Sequence, residues 1–457
     1  MPPKSKPAGR AMRALCTHIA AARTRPLPAR VVEKAKYHVM DTLAAMMTGS
    51  RLKVGKIAID YVRGQGGKKE AQVVGTAFMT TAVNAALANG LLAHADETDD
   101  SHQPGASHPG CVVVPAALAM AEKHGRSGAE LLRAVVLGYD VLVRVNKSLG
   151  AWALRVRGHG PYSIGGAWGA AAAAGSLAGF DETQARHLLS NVAQQTSGIA
   201  TWMFDAEHTE KAFHFGGMPA RNGVSAADLV AAGFTGVPDV LTGPRNFLFA
   251  YCDKPKPRLL HQGLGENHEI MQANIKKWSV GSPIQAVLDS TLALIEEHGV
   301  TADHVKQVLI HLPRSSTEVV ADRTMPDINA PHCAALMLAD GGLTFASSHD
   351  YGRLGDPRVL AIKRRIKLVP SDMLSRAKPR RQAIVEIHTR DGRKLKHRTY
   401  RVRGTRDDPM VRADVHAKAT DLLESVMTPK RASQLIDRVW HLEKENHVTD
   451  LRNLLSG

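Results

Sequence analysis

The feature that most constrains the fold is a change in residue periodicity near Asn274. Before it, apolar residues recur at three- and four-residue spacing, clearly so in the segment PARVVEKAKYHVMDTLAAMMTG, which begins at Pro28 and ends at Gly49. This spacing is typical of amphipathic helices, and proline at the start and glycine at the end are common helix boundaries. Residues 1–273 are therefore predicted to be helical.

Beyond Asn274 the pattern alternates between strand and helix. The segments VKQVLIHLP, RRIKLVP and RQAIVEIHTRDGRKLKHRTYRV are strand-like, and the last predicts a hairpin with its turn at Asp391-Gly392. Helical spacing returns after Asp408-Pro409. We predict a mainly α protein with an α+β part. A large discontinuous all-helical domain (residues 1–273 and 405–457) would carry an inserted, smaller α+β lid domain (residues 274–404).

Composition limits the class of protein. Hydrophobic residues make up 44% and charged residues 22% of 457 residues, as in globular proteins, and no apolar run reaches membrane-span length. The N-terminal MPPKSKPAGRAMRALC has no signal-peptide core and is predicted to be a short tail. The four cysteines are widely spaced, which disfavours a disulfide scaffold or zinc ribbon. We expect a cytoplasmic protein without membrane contact.

The net charge of +16 is concentrated between Arg353 and Arg406, where eighteen Lys and Arg face four Asp and Glu. Such a stripe is often a solvated face. It can also attract a polyanionic substrate. Nucleic-acid binding is disfavoured because the stripe lacks interleaved aromatics other than Tyr400 and has no known binding motif.

The stretch HADETDDSHQPGASHPG, from His94 to Gly110, lies between two apolar helical patterns and holds three histidines and four carboxylates. Functional residues concentrate on loops held by a rigid scaffold, and crowded carboxylates and imidazoles shift one another's pKa values. This loop is the predicted active site.

Two kinds of chemistry fit these residue types. Imidazole and carboxylate together suit zinc, iron or manganese, but no HExxH motif is present and the adjacent side chains of Asp99 and Asp100 point in different directions. Proton transfer needs a base and cations that hold carboxylates. His108, His159, Lys211 and Lys276 could supply them, although a lone histidine is more often structural. We predict no metal.

The motif HADETDDSH…SHPGCVVVPAALAMAE, followed by the GYD of Gly138–Asp140, resembles the MmgE/PrpD family. The segment TEKAFHFGGMPARNGV resembles that family's TKPxHxGxAARNG, and IKKWSVGSPIQAVLD resembles its KxYPSCxxxHxxID. The resemblance covers nearly the whole chain. It implies a helical domain with an α+β lid, a homodimer, a site between the domains and no cofactor.

The resemblance also implies roles for single residues. His108 matches the catalytic histidine of the family's HP pair, Lys211 and His214 match the KPxHxG motif, and Lys276 matches the lysine of KxYP. Glu97 stands where the family usually has aspartate.

Other positions depart from the family pattern. Ser101 stands where threonine is frequent, Gly160 occupies a histidine column with His159 one residue earlier, and Gln285 replaces a histidine. Gly281 replaces a cysteine. These departures predict a carboxylate substrate other than methylcitrate or cis-aconitate itself.

The predicted function is that of a cofactor-independent lyase, a dehydratase similar to 2-methylcitrate dehydratase. His108 or His159 would take the proton next to a carboxylate of a small hydroxy di- or tricarboxylate, and water would leave. Lys211 and Lys276 would bind carboxylates and stabilise the developing enolate.

The remaining site residues complete this prediction. Glu97 with Asp100 would orient the imidazoles or protonate the leaving hydroxyl, and Ser101, His214 and Gln285 would contact substrate. Three alternatives stay open: a decarboxylase of a cis-aconitate-like acid, an epimerase of a dicarboxylate, and a catalytically silent carboxylate-binding protein.

Overall fold

The computed structural model describes residues 8–321 and 323–457. Residues 1–7, seven of the sixteen residues of the predicted N-terminal tail, lie outside the described range, and the tail prediction was wrong from Arg10 onward, where a helix begins. The chain divides into two compact units. The helical unit comprises residues 1–95, 99–273 and 422–457, and the mixed unit comprises residues 96–98 and 274–421. The predicted class, mainly α with an α+β part, is confirmed.

The first part of the helical unit contains twelve α-helices among its described residues. They are α1 (Arg10–Ala22), α2 (Ala29–Gly49), α3 (Lys53–Gln65), α4 (Ala82–Ala93), α5 (Gly110–Lys123), α6 (Gly128–Leu149), α7 (Ala151–Val156), α8 (Pro161–Ala178), α9 (Glu182–Gln195), α10 (Thr209–Ala212), α11 (Met218–Ala231) and α12 (Phe247–Tyr251). Short 3₁₀ helices lie at Ala200–Phe204, Pro257–Leu260 and Glu269–Gln272.

Helix α8 lies at the centre of the helical unit and packs against α5, α6 and α11. Its residues from Pro161 to Leu177 are all buried. Small residues allow this close packing, because a Cβ added at Gly169 would lie 2.5 Å from the Gly138 carbonyl oxygen of α6. The Gly- and Ala-rich sequence of α8 thus permits close packing of helix against helix.

Local sequence signals place the ends of several helices correctly. Ser127 and Glu130 have the three-residue spacing that predicts a capping box, and they form one at the start of α6, in which each side chain binds the other residue's backbone N–H. Helix α2 begins one residue after Pro28 and ends at Gly49. These contacts satisfy backbone groups that a helix end leaves without partners.

Two local expectations were wrong. The first 273 residues are not entirely helical, because the strands β1 (Ala71–Gln72) and β2 (Met79–Thr80) form a short antiparallel pair. The polar residues around Lys211 and His214 predict a loop that leads into a helix, but this segment is itself helical. It continues from α10 through a π-helical turn (Phe213–Gly217) into α11. Pro219 has no backbone N–H to complete an α-helical turn, and a wider turn precedes it.

The mixed unit is a four-stranded sheet covered by helices. Its strands are β3 (Val305–Pro313), β4 (Ile366–Ser371), β5 (Ala383–Thr389) and β6 (Lys394–Thr399), and its helices are α13 (Gln285–His298), α14 (Arg314–Val320), α15 (Ala330–Asp340), α16 (Phe345–His349), α17 (Pro357–Lys363), α18 (Asp372–Arg376) and most of α19 (Arg412–Glu424). Helices α20 (Pro429–Trp440) and α21 (Arg452–Leu455) complete the helical unit.

The sheet order is β4-β3-β5-β6, with β3 and β4 parallel and the other pairs antiparallel. The predicted hairpin is confirmed as β5–β6, and Gly392 in its turn has φ of 93°. Inward-facing residues of β3 and β5 pack with α13 and α15 in one apolar core. Among the described residues, no helix is long and apolar enough to cross a membrane.

Candidate active site

The predicted active-site loop follows α4 and leads into α5, and nearly all of it is buried. Asp99 is its central residue in the helical unit. The Nδ1 atom of His108 lies 3.1 Å from Asp99 Oδ2 and 3.2 Å from Oδ1. The Nδ1 atom of His94 lies 3.0 Å from Oδ1 of the same carboxylate. One carboxylate therefore bridges two imidazoles.

The neighbouring Asp100 faces a different set of groups. Its Oδ2 accepts a hydrogen bond from Tyr139 at 2.6 Å and lies 2.7 Å from His38 Nδ1, and its Oδ1 accepts from the Gly110 amide at 2.8 Å. Burial raises the pKa of Asp100, but the contacts with His38 and Tyr139 outweigh it and lower the pKa below its usual value. Asp100 thus anchors the loop to α2 and α6, and Asp99, for which no role was predicted, contacts the imidazoles.

His102, the third histidine of the loop, has a structural environment. Its Nδ1 accepts a hydrogen bond from the Gly105 amide at 3.0 Å, and its Nε2 lies 3.6 Å from Glu269 Oε2. Glu269 also accepts from Lys147 at 2.6 Å, and these contacts lower its pKa to about 2 against the opposing effect of burial. His102 therefore holds the turn that precedes His108.

Aromatic rings surround the Asp99 cluster, which consists of Asp99, His94 and His108. The Phe215 ring, carried by the π-helical turn, stacks on His94 with centroids 4.5 Å apart and on Tyr162 with centroids 3.9 Å apart. His108 meets the Phe215 ring edge-on at 5.3 Å. The Lys211 Nζ lies 5.4 Å from the centroid of the same ring, at cation–π distance. The predicted base His108 and the predicted cation Lys211 thus contact one aromatic group.

His214 fills the space beside Gly160. A Cβ added at Gly160 would lie 2.0 Å from His214 Cε1, so the absence of a side chain there leaves room for this ring. The ring Nε2 lies 3.5 Å from Ser163 Oγ. Burial, together with the nearby His94, lowers the pKa of His214 to about 4. His214 is therefore neutral near pH 7.

His159 has other neighbours. It is half-buried, its ring meets Tyr251 edge-on at 5.6 Å, and its backbone pairs with Ile199. These described contacts do not include the Asp99 cluster. Ser101, by contrast, is buried directly after Asp100.

The remaining predicted residues lie in the mixed unit. Lys276 Nζ donates to the Glu97 carbonyl oxygen at 2.5 Å and lies 3.5 Å from Glu97 Oε2. The Gln285 amide donates to the carbonyls of Trp278 and Val280 and accepts from the Trp278 amide. Lys276 thus compensates the charge of Glu97, and Gln285 holds the turn before α13.

A second group in the mixed unit was not predicted. His349 Nε2 lies 2.8 Å from Asp96 Oδ2 and 3.8 Å from Asp327 Oδ2. Burial lowers the pKa of His349, but the contact with Asp96 and the charge of Asp327 outweigh it and raise the pKa to about 9. Burial raises the pKa of Asp327 to about 6. Only the chain position of Asp96 within the loop could have indicated this group.

One group of side chains in the helical unit has the geometry to bind a metal ion. His94, Asp99 and Cys111 each offer a ligand atom, and these atoms lie within 4.8 Å of one another. However, the Cys111 thiol donates to the His108 carbonyl oxygen at 3.2 Å, whereas a metal-bound cysteine is a thiolate. Asp99 already contacts both imidazoles, so the set suits proton transfer better.

An open groove of about 360 Å³ lies elsewhere, between α13 and β6 in the mixed unit. Several of the charged groups that line it pair with one another. Arg403 binds Asp408 and Asp414, both at 2.6 Å, and Lys277 lies 3.9 Å from Asp289. This groove lacks the paired imidazole and carboxylate of the Asp99 cluster, which is the better candidate.

Known proteins resemble the chain over nearly its whole length. The family model described as the MmgE/PrpD N-terminal domain matches residues 13–260, and that of the MmgE/PrpD C-terminal domain matches residues 278–442. The human protein named cis-aconitate decarboxylase is 26% identical over 452 residues, which cover 94% of this chain and 91% of that protein.

Two fungal proteins are similar over comparable lengths. A cis-aconitate decarboxylase-like protein of Aspergillus oryzae is 23% identical, covering 99% of this chain and 98% of its own length. A cis-aconitate decarboxylase of Aspergillus terreus is 22% identical, covering 95% and 93%.

Proposed function

Because the chain belongs to the MmgE/PrpD family, we propose that it is a lyase that removes carbon dioxide from an unsaturated tricarboxylate of the cis-aconitate type. The names of its near-full-length relatives support this alternative over the predicted loss of water. The observation that carries the proposal is that His108, paired with Asp99, and the Lys211 ammonium contact the same Phe215 ring.

The reaction needs a proton and a cation. The carbon–carbon bond to the departing carboxylate breaks, carbon dioxide leaves, and the electron pair of that bond forms a new carbon–carbon double bond. The electron pair of the original double bond takes a proton at the carbon beside a remaining carboxylate. A positioned acid supplies that proton, and a cation stabilises the charge that develops on the carboxylate.

The helical unit offers both groups. His108 supplies the proton, since imidazole is the most frequent general acid among side chains and its Nδ1 lies 3.1 Å from Asp99 Oδ2. Lys211 binds a substrate carboxylate. His214, with its pKa near 4, interacts as a neutral hydrogen-bonding group. The roles of His159, Glu97, Ser101, Lys276 and Gln285 remain predictions from the sequence.

The test is nuclear magnetic resonance of the chelator-treated protein in deuterated water with a panel of ¹³C-labelled di- and tricarboxylates. The panel includes cis-aconitate and related unsaturated acids, because the departures from the family pattern predict a substrate other than cis-aconitate itself. We expect labelled carbon dioxide and one deuterium beside a carboxylate of the product. Water loss from a hydroxy acid would instead support the dehydratase. Binding without any turnover would support the silent binding protein. Activity restored only by added divalent metal would contradict the metal-independent mechanism.

Two variants test the assigned residues. His108→Ala should lose turnover while keeping its fold, with a loss on the order of 10²- to 10⁴-fold. Lys211→Ala should lower kcat/KM by about 10²-fold or more. Lys53→Ala is the matched control, because Lys53 is an exposed lysine of the same unit that binds Glu207 at 2.8 Å. Equal effects of the two lysine variants would contradict the role of Lys211.

A further inference from the structure

We propose that Asp99 is a positioning residue that fixes His108 with Nδ1–H toward the protein and Nε2 as the atom that exchanges the proton. The orientation of His108 follows from contacts within the helical unit alone. Its catalytic consequence rests on the proposed function.

The contacts of Asp99 determine which nitrogen of the His108 ring carries the proton. An ionised carboxylate can only accept hydrogen bonds. With the His108 Nδ1 at 3.1 and 3.2 Å from the two oxygens of Asp99, the proton of the neutral ring is held on Nδ1. The Nε2 atom, on the opposite edge of the imidazole, then carries the lone pair. The same carboxylate stabilises the ring when it is charged.

The three side chains of the Asp99 cluster differ in their exposure to solvent. The side chains of Asp99 and His94 have no exposed surface, whereas 11% of the His108 side chain is exposed. Of these three groups, a small molecule in solution can reach only His108. Asp99 therefore acts on substrate through His108 and not by contact.

His94 keeps Asp99 in place. Its ring lies almost parallel to Phe215, with an interplanar angle of 6°, and meets His108 edge-on at 5.1 Å. Phe215 is itself stacked on Tyr162. A carboxylate between one clamped ring and one reachable ring cannot turn away from His108 without breaking the contact with His94.

The proton transfer balances with these groups. The protonated His108 gives the Nε2 proton to the carbon beside a substrate carboxylate as carbon dioxide leaves, and its ring becomes neutral. Asp99 stays ionised throughout and stabilises the imidazolium before the step. The neutral ring then takes up one proton from the bulk solvent at Nε2, which restores the starting state and supplies the proton that the overall reaction consumes.

The adjacent Asp100 provides a matched comparison. It is also an aspartate with no exposed surface, but its described partners are His38, Tyr139 and the Gly110 amide. Removing its charge should affect the anchoring of the loop. It should change the ionisation of His108 far less than the loss of Asp99 would.

The experiment is ¹⁵N–¹H spectroscopy of protein labelled at histidine, without substrate, for wild type, Asp99→Asn and Asp100→Asn. The His108 signal is assigned by its absence from His108→Gln. We expect the neutral His108 of the wild type to carry its proton on Nδ1. In Asp99→Asn its pKa should fall by about 1 to 3 units, and in Asp100→Asn the fall should be smaller.

A neutral wild-type His108 protonated on Nε2 would overturn the proposal, even if neither variant folds. Equal pKa changes in both variants would also overturn it. Because no substrate is used, these outcomes are independent of the proposed activity. With turnover established, Asp99→Asn should reduce kcat by about 10²- to 10⁴-fold, change KM little, and move the alkaline limb of the kcat profile to lower pH.

Discussion

A buried histidine that lacks a hydrogen-bond partner makes the stability of a folded protein depend on pH. His332, in the first turn of α15, is 1% exposed, and neither of its ring nitrogens has a hydrogen-bond partner among the described residues. Burial, with the charges of Lys363 and Arg353, lowers its pKa to about 4. The ring is neutral in the folded protein over a range in which the unfolded chain would protonate it.

This condition predicts a stabilising substitution at acidic pH. Because the folded-state pKa is lower than the unfolded value of 6.5, the contribution of His332 is present above pH 6.5 and is lost as the pH falls through 4. The loss amounts to about 3 kcal/mol at most. In urea unfolding between pH 7.5 and 4.5, His332→Leu should lose less stability than wild type.

The control is His441→Leu, which removes a histidine whose side chain is 48% exposed. Its stability should fall with pH as in wild type. A His332→Leu variant whose stability falls as steeply as that of wild type would contradict the argument.

Asp99 and Asp100 show what the sequence can and cannot indicate at one site. Neighbouring side chains in a loop diverge, and the prediction that these two point in different directions is confirmed. Which rings they would meet was not predictable, because His38 is far away in the sequence and only the packing of α2 beside α6 brings it to Asp100. The roles of Lys276 and Gln285 were inferred from a motif that does not reveal their local hydrogen bonds.

The crossing of α4 with the π-helical turn depends on two glycines. A Cβ added at Gly216 would lie 2.0 Å from the Gly90 carbonyl oxygen, and one added at Gly90 would lie 2.6 Å from Gly216. The two backbones are therefore in direct contact. Helix α4 leads to His94, and the turn carries His214 and Phe215, so this contact fixes the aromatic surroundings of the Asp99 cluster.

We therefore expect Gly216→Ala to lower the free energy of unfolding by about 3 kcal/mol, since backbone atoms must move apart. Gly64→Ala is the matched control. Gly64 lies near the end of α3, and no heavy atom is within 4 Å of its added Cβ. That variant should be more stable than wild type by about 0.5–1 kcal/mol. Denaturant unfolding of both proteins checks the opposite signs, and equal effects would contradict the contact argument.

Periodicity predicted the long elements and missed the short ones. Helices such as α2 and α6 carry many turns of apolar spacing and capping signals, and the β5–β6 hairpin has its Asp-Gly turn. The two-residue strands β1 and β2 are too short for any period to appear. The π-helical turn has no signal of its own beyond the Gly216-Gly217 pair and Pro219 close behind it.

The excess of basic residues is partly compensated within the mixed unit. Arg353 binds Asp340, Lys396 binds Glu386, and Arg403 binds Asp408 and Asp414. Others lie on β6, an edge strand, where lysine hinders pairing with another strand. Part of the basic stripe between Arg353 and Arg406 is thus engaged in contacts within the mixed unit. The chain as a whole still has a net charge of +16.

A net charge of this size should assist a polyanionic substrate over a distance. Since the Debye length shrinks from about 30 Å at 0.01 M to about 8 Å at 0.15 M salt, kcat/KM for a tricarboxylate should fall several-fold over that range, while kcat at saturation stays constant. Steady-state kinetics in sodium chloride checks this. A kcat/KM independent of salt would show that charge does not assist encounter.

The π-helical turn between Phe213 and Gly217 also determines how the side chains before α11 are rotated about the helix axis. It contains one residue more than an α-helical turn would use. Successive residues of a regular helix are separated by about 100° around its axis. Removing Gly216 or Gly217 would rotate Phe215 by that angle relative to α11, so its ring would no longer stack on His94. The extra residue thus fixes the orientation of these side chains relative to α11. We therefore expect this short segment to tolerate a deletion far less well than a substitution.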